Sequence, residues 1–342
     1  MEWSRYPASR FADFSDDWQR LNACWLDQPI MDADFVTALL RHFFEGDEVL
    51  CVGTEEGRVT SMGFFRRIRP LHWATVMPSQ APLGLWLHEA GALRDAEIRG
   101  LARTLPGTVL MIDFLQLDSE RVARCGRRTF VAQPYIETGR LQAPANFDDY
   151  FASLSKNTRQ NYRRVNNKAE KAGLPIEVTP MTTRADVVEA VAAYGEIEAE
   201  SWKAAEGTAV TTNNTQGRFY RDLLTTYAER GGARCWQLRI GGEIAAVDLC
   251  IENRGSTVIL KTTYAERFRE FSPAMQMKFD IIRQLAGNQD GHRRIEFFGK
   301  AMEWHRKLTD DIRPLEHVTW FNGAATRRLH QFAKAMRNHP GT

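Results

Sequence analysis

Cysteine is scarce and unpatterned in this chain. The 342 residues include five, namely Cys24, Cys51, Cys125, Cys235 and Cys250. They form no Cys-x-x-Cys step and have no histidine spacing that suits zinc, so no metal site is expected. Cys51, Cys235 and Cys250 fall inside apolar strand patterns and read as buried and inert. Long apolar runs are also missing. No stretch reaches the roughly 18 residues of a membrane span. The opening Met1-Glu-Trp-Ser-Arg-Tyr6 lacks the apolar core of a signal peptide, so a cytoplasmic location without a membrane span is expected. A large basic excess is absent too: the formal net charge is +2, which argues against a general DNA binder. That charge is uneven. Residues 1–144 hold 16 Lys/Arg against 19 Asp/Glu, and residues 145–342 hold 29 against 24, so an anionic ligand belongs to the second half.

The length predicts two domains with apolar content for two cores. In the first half, helices are expected over 15–26 and 32–45. A hairpin turns at Glu55-Glu56-Gly57, strands follow near 71–77 and 83–88, and a helix covers 94–104. Strands at 108–115 and 128–135 close this half. Gly139 to Asn146, with Pro144, reads as a linker, which sets the domains at 1–144 and 145–342. The second half repeats the order: helices over 147–154 and 155–172, a strand at 174–180, helices at 184–203 and 215–230, and a hairpin through Gly241-Gly242. Then come a strand over 257–264, a helix of about four turns from Pro273, a strand over 294–298, a short helix near 302–308, a strand at 313–321 and a closing helix. Two landmarks overlay the halves. Leu50 to Gly57 matches Arg234 to Gly241, and Ile112-Asp113-Phe114 matches Ile295-Glu296-Phe297, which points to an internal duplication.

The most informative stretch runs from Val258 to Lys307. After the strand ending at Tyr264, Ser272 fits an N-cap and Pro273 the first helical position, where a missing N–H costs nothing. Free N–H groups and the positive end of the helix dipole then face outward just beyond a strand, a geometry that holds a phosphate or pyrophosphate.

Each half reads helix, helix, hairpin, strand, helix, strand, helix, strand, which is the order of the GNAT acyltransferase fold. The second half resembles the acetyltransferase domain of CelD-like polysaccharide-biosynthesis proteins, relatives of the Fem-type peptidyltransferases. The residues that carry the resemblance are Ser155-Lys156-Asn-Thr-Arg159-Gln-Asn-Tyr-Arg163-Arg164, Ser201-Trp202-Lys203, Tyr264, Ser272-Pro273-Ala274, Phe298-Gly299 and Lys307. It covers residues 147–322, with the first half a degenerate copy. The fold class it implies is α/β (α+β): tandem GNAT-like domains, each a mixed, mostly antiparallel sheet flanked by helices.

The resemblance implies transfer of an acyl group, acetyl being the expected one, from acyl-CoA to an amine or hydroxyl. Lys261 and Thr262 on the strand would lie along the pantetheine arm, and Arg269, Ser272, Pro273, Ala274 and Met275 would cradle the pyrophosphate. Ser272 stands where the superfamily has glycine, and Ala274 replaces the glycine usual in this branch. Each adds a Cβ where backbone approaches phosphate. The first half carries the acidic His88-Glu-Ala-Gly-Ala-Leu-Arg94 at the equivalent place, and no donor site is expected there.

Direct attack on a thioester requires a base, an oxyanion donor and an acid for the leaving thiolate. Glu296 is the favoured base, although a strand carboxylate paired with Arg293 or Arg294 would look the same. Asp248, inside an apolar run, is either a perturbed catalytic carboxylate or a partner of Lys261. Tyr264 is the candidate acid, or else a core tyrosine. Trp304 and Lys307 match the family's aromatic-x-x-Lys. Arg159 and Arg163, on a basic helix face, would meet an anionic acceptor such as a nucleotide- or lipid-linked sugar. Trp202 and Lys203 end a helix expected to face the acceptor groove. The expected function is acylation of an envelope or exopolysaccharide precursor, with acyl-CoA or an acyl carrier protein as donor. Two alternatives stay open: a Fem-like transferase using aminoacyl-tRNA, and a non-catalytic subunit of a polysaccharide-assembly complex.

Overall fold

The computed structural model describes residues 1–338 except 90–92, 119–127, 201–209, 212, 254 and 288–292. One unit comprises Met1–Asp27, Met31–Glu137 and Arg313–Thr342; the other comprises Gln28–Ile30 and Thr138–Ile312.

The first unit contains β1 (Glu2–Pro7), α1 (Ser15–Trp25), α2 (Ala33–Phe43), β2 (Val49–Glu55), β3 (Arg58–Arg69), β4 (His72–Thr75), β5 (Trp86–His88), α3 (Asp95–Thr104) and β6 (Met111–Asp118). The second is built from the end of β7 (Phe130–Gln142), α4 (Phe147–Ser153), α5 (Lys156–Lys171), β8 (Ile176–Met181), α6 (Arg184–Ala199), α7 (Thr215–Glu229), β9 (Cys235–Ile240), β10 (Glu243–Glu252), β11 (Ser256–Tyr264), α8 (Pro273–Leu285), β12 (Arg294–Glu296) and α9 (Glu303–Arg306). The chain ends with β13 (Ile312–Phe321) and α10 (Ala324–Asn338). Among the described residues no helix is long and apolar enough to cross a membrane.

The expected duplication reappears as a shared strand plan. In the first unit the order is β1-β2-β3-β4-β6-β13, and in the second it is β8-β9-β10-β11-β12-β7. Each has a single parallel pair, β4 with β6 and β11 with β12, between antiparallel neighbours. The matching hairpins have matching turns. Glu56 and Gly57 (φ 51° and 78°), like Gly241 and Gly242 (φ 57° and 86°), take the left-handed pair of angles that a two-residue hairpin loop needs to follow strand twist.

Three expectations are corrected. The proposed linker at 139–146 is strand as far as Gln142, because Leu141 pairs with Ile295 of β12 and is buried. That tertiary pairing overrides the local signals of Gly139 and Pro144. The strand expected over 294–298 ends at Glu296. Residues 313–342, expected in the second domain, group with the first unit, where β13 pairs antiparallel with β6.

The core of the second unit lies between β8–β12 and α8. Met277, Phe279, Ile281, Ile282 and Leu285 of α8 pack against Trp236, Leu238, Ala246, Cys250 and Ile259 of the sheet. Phe279 also meets Phe151 and Tyr162 edge-on, with ring centroids 5.9 and 4.8 Å away. Phe279 therefore ties α4 and α5 to the central helix. Phe279→Ala should cost about 3–5 kcal/mol, measured as a lowered urea midpoint for the second unit.

Candidate active site

The site begins where two parallel strands separate. β11 and β12 share three rungs, Ser256–Arg294, Thr257–Ile295 and Val258–Glu296. β11 then runs on to Tyr264, while the chain leaving β12 bends away. Phe298 marks the bend with φ 48°, a left-handed conformation that is an outlier for a bulky residue. Beyond Val258, one edge of β11 is open toward the gap, and its other edge stays paired with β10.

A short 3-10 turn, Glu266–Phe271, carries the chain from β11 to α8. Ser272 ends it with φ 48° and ψ 52° and makes no side-chain cap bond. This corrects its expected role as a side-chain N-cap. The left-handed angles explain why glycine suits the position, and serine there costs about 1–2 kcal/mol. The Ser272 carbonyl accepts from the N–H groups of Met275 (3.0 Å) and Gln276 (3.1 Å). Pro273 has no N–H, and the Ala274 N–H has no backbone acceptor among the described residues. One bare amide, backed by the helix dipole, therefore remains at the N-terminus of α8.

A cavity of about 540 Å³ opens there. Thr262 and Tyr264 line it from β11, Arg269 from the turn, Ser272 to Met275 and Lys278 from α8, and Trp304 from α9. The structure thus gathers seven residues singled out for the donor and acid roles around one cavity. Tyr264 Oη donates to Glu266 (3.3 Å), and partial burial followed by the Glu266 charge pushes the phenol pKa up. A second cavity of about 460 Å³ shares Ser272, Met275 and Trp304 with the first and adds Asn157, Asn161, Tyr162 and Lys307.

Asp248 is fully buried, and its partner is not the expected Lys261. The residue opposite Lys261 on β10 is Leu249, whereas Thr262 lies opposite Asp248. Side-chain alternation turns Thr262, not Lys261, to the Asp248 face. From α8, Lys278 reaches down to bond Asp248 and also donates to Thr262 Oγ1 (3.1 Å). Lys278 is only 3% exposed, yet it borders the cavity, with Trp304 above its ammonium at 5.9 Å. Trp304 stacks on His305 (3.5 Å), and Phe297 meets both rings edge-on.

Glu296 lies at the fork, fully buried, rather than in the cavity wall. Gln28 approaches its carboxylate (Nε2 to Oε1, 3.5 Å) and accepts from Ser256 Oγ (3.2 Å). Lys261 is half-buried on β11 outside the cavity lining. Arg163 lines a separate groove along α5 with Arg164, Lys168 and Lys171, and its guanidinium sits over Phe151 at 5.9 Å. Arg159 is half-buried on α5 outside both cavities. Trp202 and Lys203 lie outside the described residues. Among the described residues no cluster of His, Cys, Asp or Glu could hold a metal. Cys51, Cys235 and Cys250 are buried, and burial pushes the Cys235 thiol up to about 12. Sequence reasoning missed Lys278 and Gln28. The only available signal for Lys278 was a lysine among the apolar residues of α8.

Two measurements probe this local structure. Ser272→Gly should relieve the left-handed strain and raise stability by about 1 kcal/mol, seen as a higher urea midpoint. His305 accepts from the Met302 N–H (2.9 Å). Burial, then the Lys278 charge, pushes its pKa from 6.5 down to about 4. Its neutral form is the folded one, so its contribution is complete above pH 6.5 and is lost as pH falls toward 4. A plot of stability against pH should slope down across that window, and His305→Asn should flatten it.

Comparisons with known proteins agree with this geometry. Residues 156–306 match the family model described as an acetyltransferase (GNAT) domain. A search of the curated proteins finds no match. Among solved structures, FemX has a TM-score of 0.58 at 10% identity, covering 97% of this chain and 99% of that one. A conserved protein of unknown function from Bacteroides thetaiotaomicron VPI-5482 gives 0.54 at 13%, covering 94% and 99%. A C-terminal domain (DUF2156) assigned to a lysylphosphatidylglycerol synthetase of Agrobacterium fabrum gives 0.53 at 12%, covering 95% and 96%. These likenesses are of fold. With the forked strands, the bare helix start and the family match, residues 156–306 are an acyltransferase domain of the GNAT superfamily.

Proposed function

We propose that this protein transfers an acyl group, acetyl in the simplest case, from acyl-CoA to an amine or hydroxyl of an envelope or exopolysaccharide precursor. The observation that carries the donor half is the cavity between β11 and α8. Its mouth presents the Ala274 amide and Arg269, suited to a diphosphate. Its wall is the open edge of β11, suited to a pantetheine arm that hydrogen-bonds like a strand. The neighbouring cavity supports the acceptor half. Asn157 and Asn161 offer amides, Tyr162 and Trp304 offer rings, and Lys307 offers a cation, a set that fits a hydroxyl-rich acceptor bearing negative charge. Glu296, where the strands part, is the candidate base, and Tyr264 the candidate proton source for the thiolate.

A second reading takes its support from the fold likeness to FemX: an aminoacyl-tRNA donor feeding the same cavity.

A thermal-shift panel of CoA, acetyl-CoA, longer acyl-CoAs, acyl carrier protein and aminoacyl-tRNA separates these donors. The true donor at 100 times its Kd should add about 2.7 kcal/mol to the native state. No shift with any CoA thioester would sink the acyl-CoA reading. Glu296→Gln should keep that shift while lowering turnover about 10²–10⁴-fold; unchanged turnover removes Glu296 from the base role.

A further inference from the structure

The structure assigns to Lys278 a role that no motif in the chain announces: its ammonium is the hydrogen-bond donor to the thioester's carbonyl oxygen. This rests on the acyl-CoA reading above. An ammonium carries three N–H donors. Asp248 and Thr262 take two, and among the described residues no third acceptor meets Lys278. The group is 3% exposed but borders the donor cavity, so the remaining N–H is a buried donor with a ligand-sized space beside it.

Depth and charge decide which part of the donor it meets. The amide of Ala274 and the side chain of Arg269 are at the mouth, where a diphosphate belongs. Lys278 is five residues beyond Pro273, about 7.5 Å further along the helix. With Asp248 beside it, the pair is neutral overall and gives little attraction to a preformed phosphate. A neutral carbonyl that becomes an oxyanion is a better match, because a fixed donor in a dry site stabilises the charge as it develops. The step balances as follows. The acceptor's nucleophile adds to the carbonyl carbon and loses its proton to the base. The carbonyl electron pair moves to oxygen, held by Lys278. That pair then returns as the C–S bond breaks, and the thiolate leaves and is protonated. Asp248 and Thr262 are positioning residues for this lysine.

The test follows free thiol released from acetyl-CoA, with water as the acceptor. Lys278→Met combined with Asp248→Asn leaves no orphan buried charge. It should lower kcat about 100-fold with KM changed by less than about threefold. Thr262→Val, an isosteric change that leaves the ion pair in place, should lower kcat about tenfold at unchanged KM; it decides the matter if the double variant does not fold by thermal melting. An unaltered kcat, or a loss confined to KM, in the double variant or in Thr262→Val overturns the assignment while the acyl-CoA reading stands. A wild-type protein that neither binds CoA nor releases thiol overturns the donor reading itself, and this role with it.

Discussion

The organisation of the second unit depends on how briefly two parallel strands stay together. β11 and β12 share three rungs and then part, and a strand that loses its neighbour has an edge of unspent N–H and C=O groups. Elsewhere in a sheet such an edge is a liability. Here α8 lies across the sheet face, α9 brings Trp304 over the gap, and the space between holds a cavity of about 540 Å³. The open edge of β11 follows from that parting, and the helix start with its left-handed Ser272 borders the same cavity.

Strain and buried charge collect at the same place. Ser272 and Phe298 both hold left-handed angles, and Lys278 with Asp248 forms an ion pair almost closed to solvent. A buried pair is weak evidence for stability, since desolvation offsets most of its attraction. An apolar pair of similar size would serve the fold as well. Lys278 stands in the cavity wall, and the stacked Trp304 and His305 pack beside it. Sites that break local rules in a chain otherwise consistent with its fold are where function is expected.

Much of the site was legible because its signals are local. Ser272-Pro273 announces a helix start, β-rich residues announce β11, and a glycine pair announces each hairpin. Those features put Thr262, Tyr264, Arg269 and Ser272 to Met275 in one neighbourhood without any long-range information. Lys278 was not legible, because its partner is 30 residues away in sequence on a strand that α8 covers only after folding. Lys261, on the adjacent strand, is one of the two readings the sequence offers for Asp248, the other being a catalytic carboxylate. The register, which places Leu249 opposite Lys261, sends its side chain to the other face.

Periodicity and turn chemistry in the sequence were sufficient to determine most of the element order (the strand Glu2–Pro7 excepted), the repeated hairpins and the helix start that faces the cavity, because each is decided within a few residues. The tertiary structure alone decided three things. It extended β7 through the apparent linker by pairing Leu141 with Ile295, it placed the terminal β13 beside β6, and it brought Gln28 to Glu296. Each depends on contacts between residues more than 100 positions apart, and no local pattern encodes which distant edge or carboxylate a segment will meet.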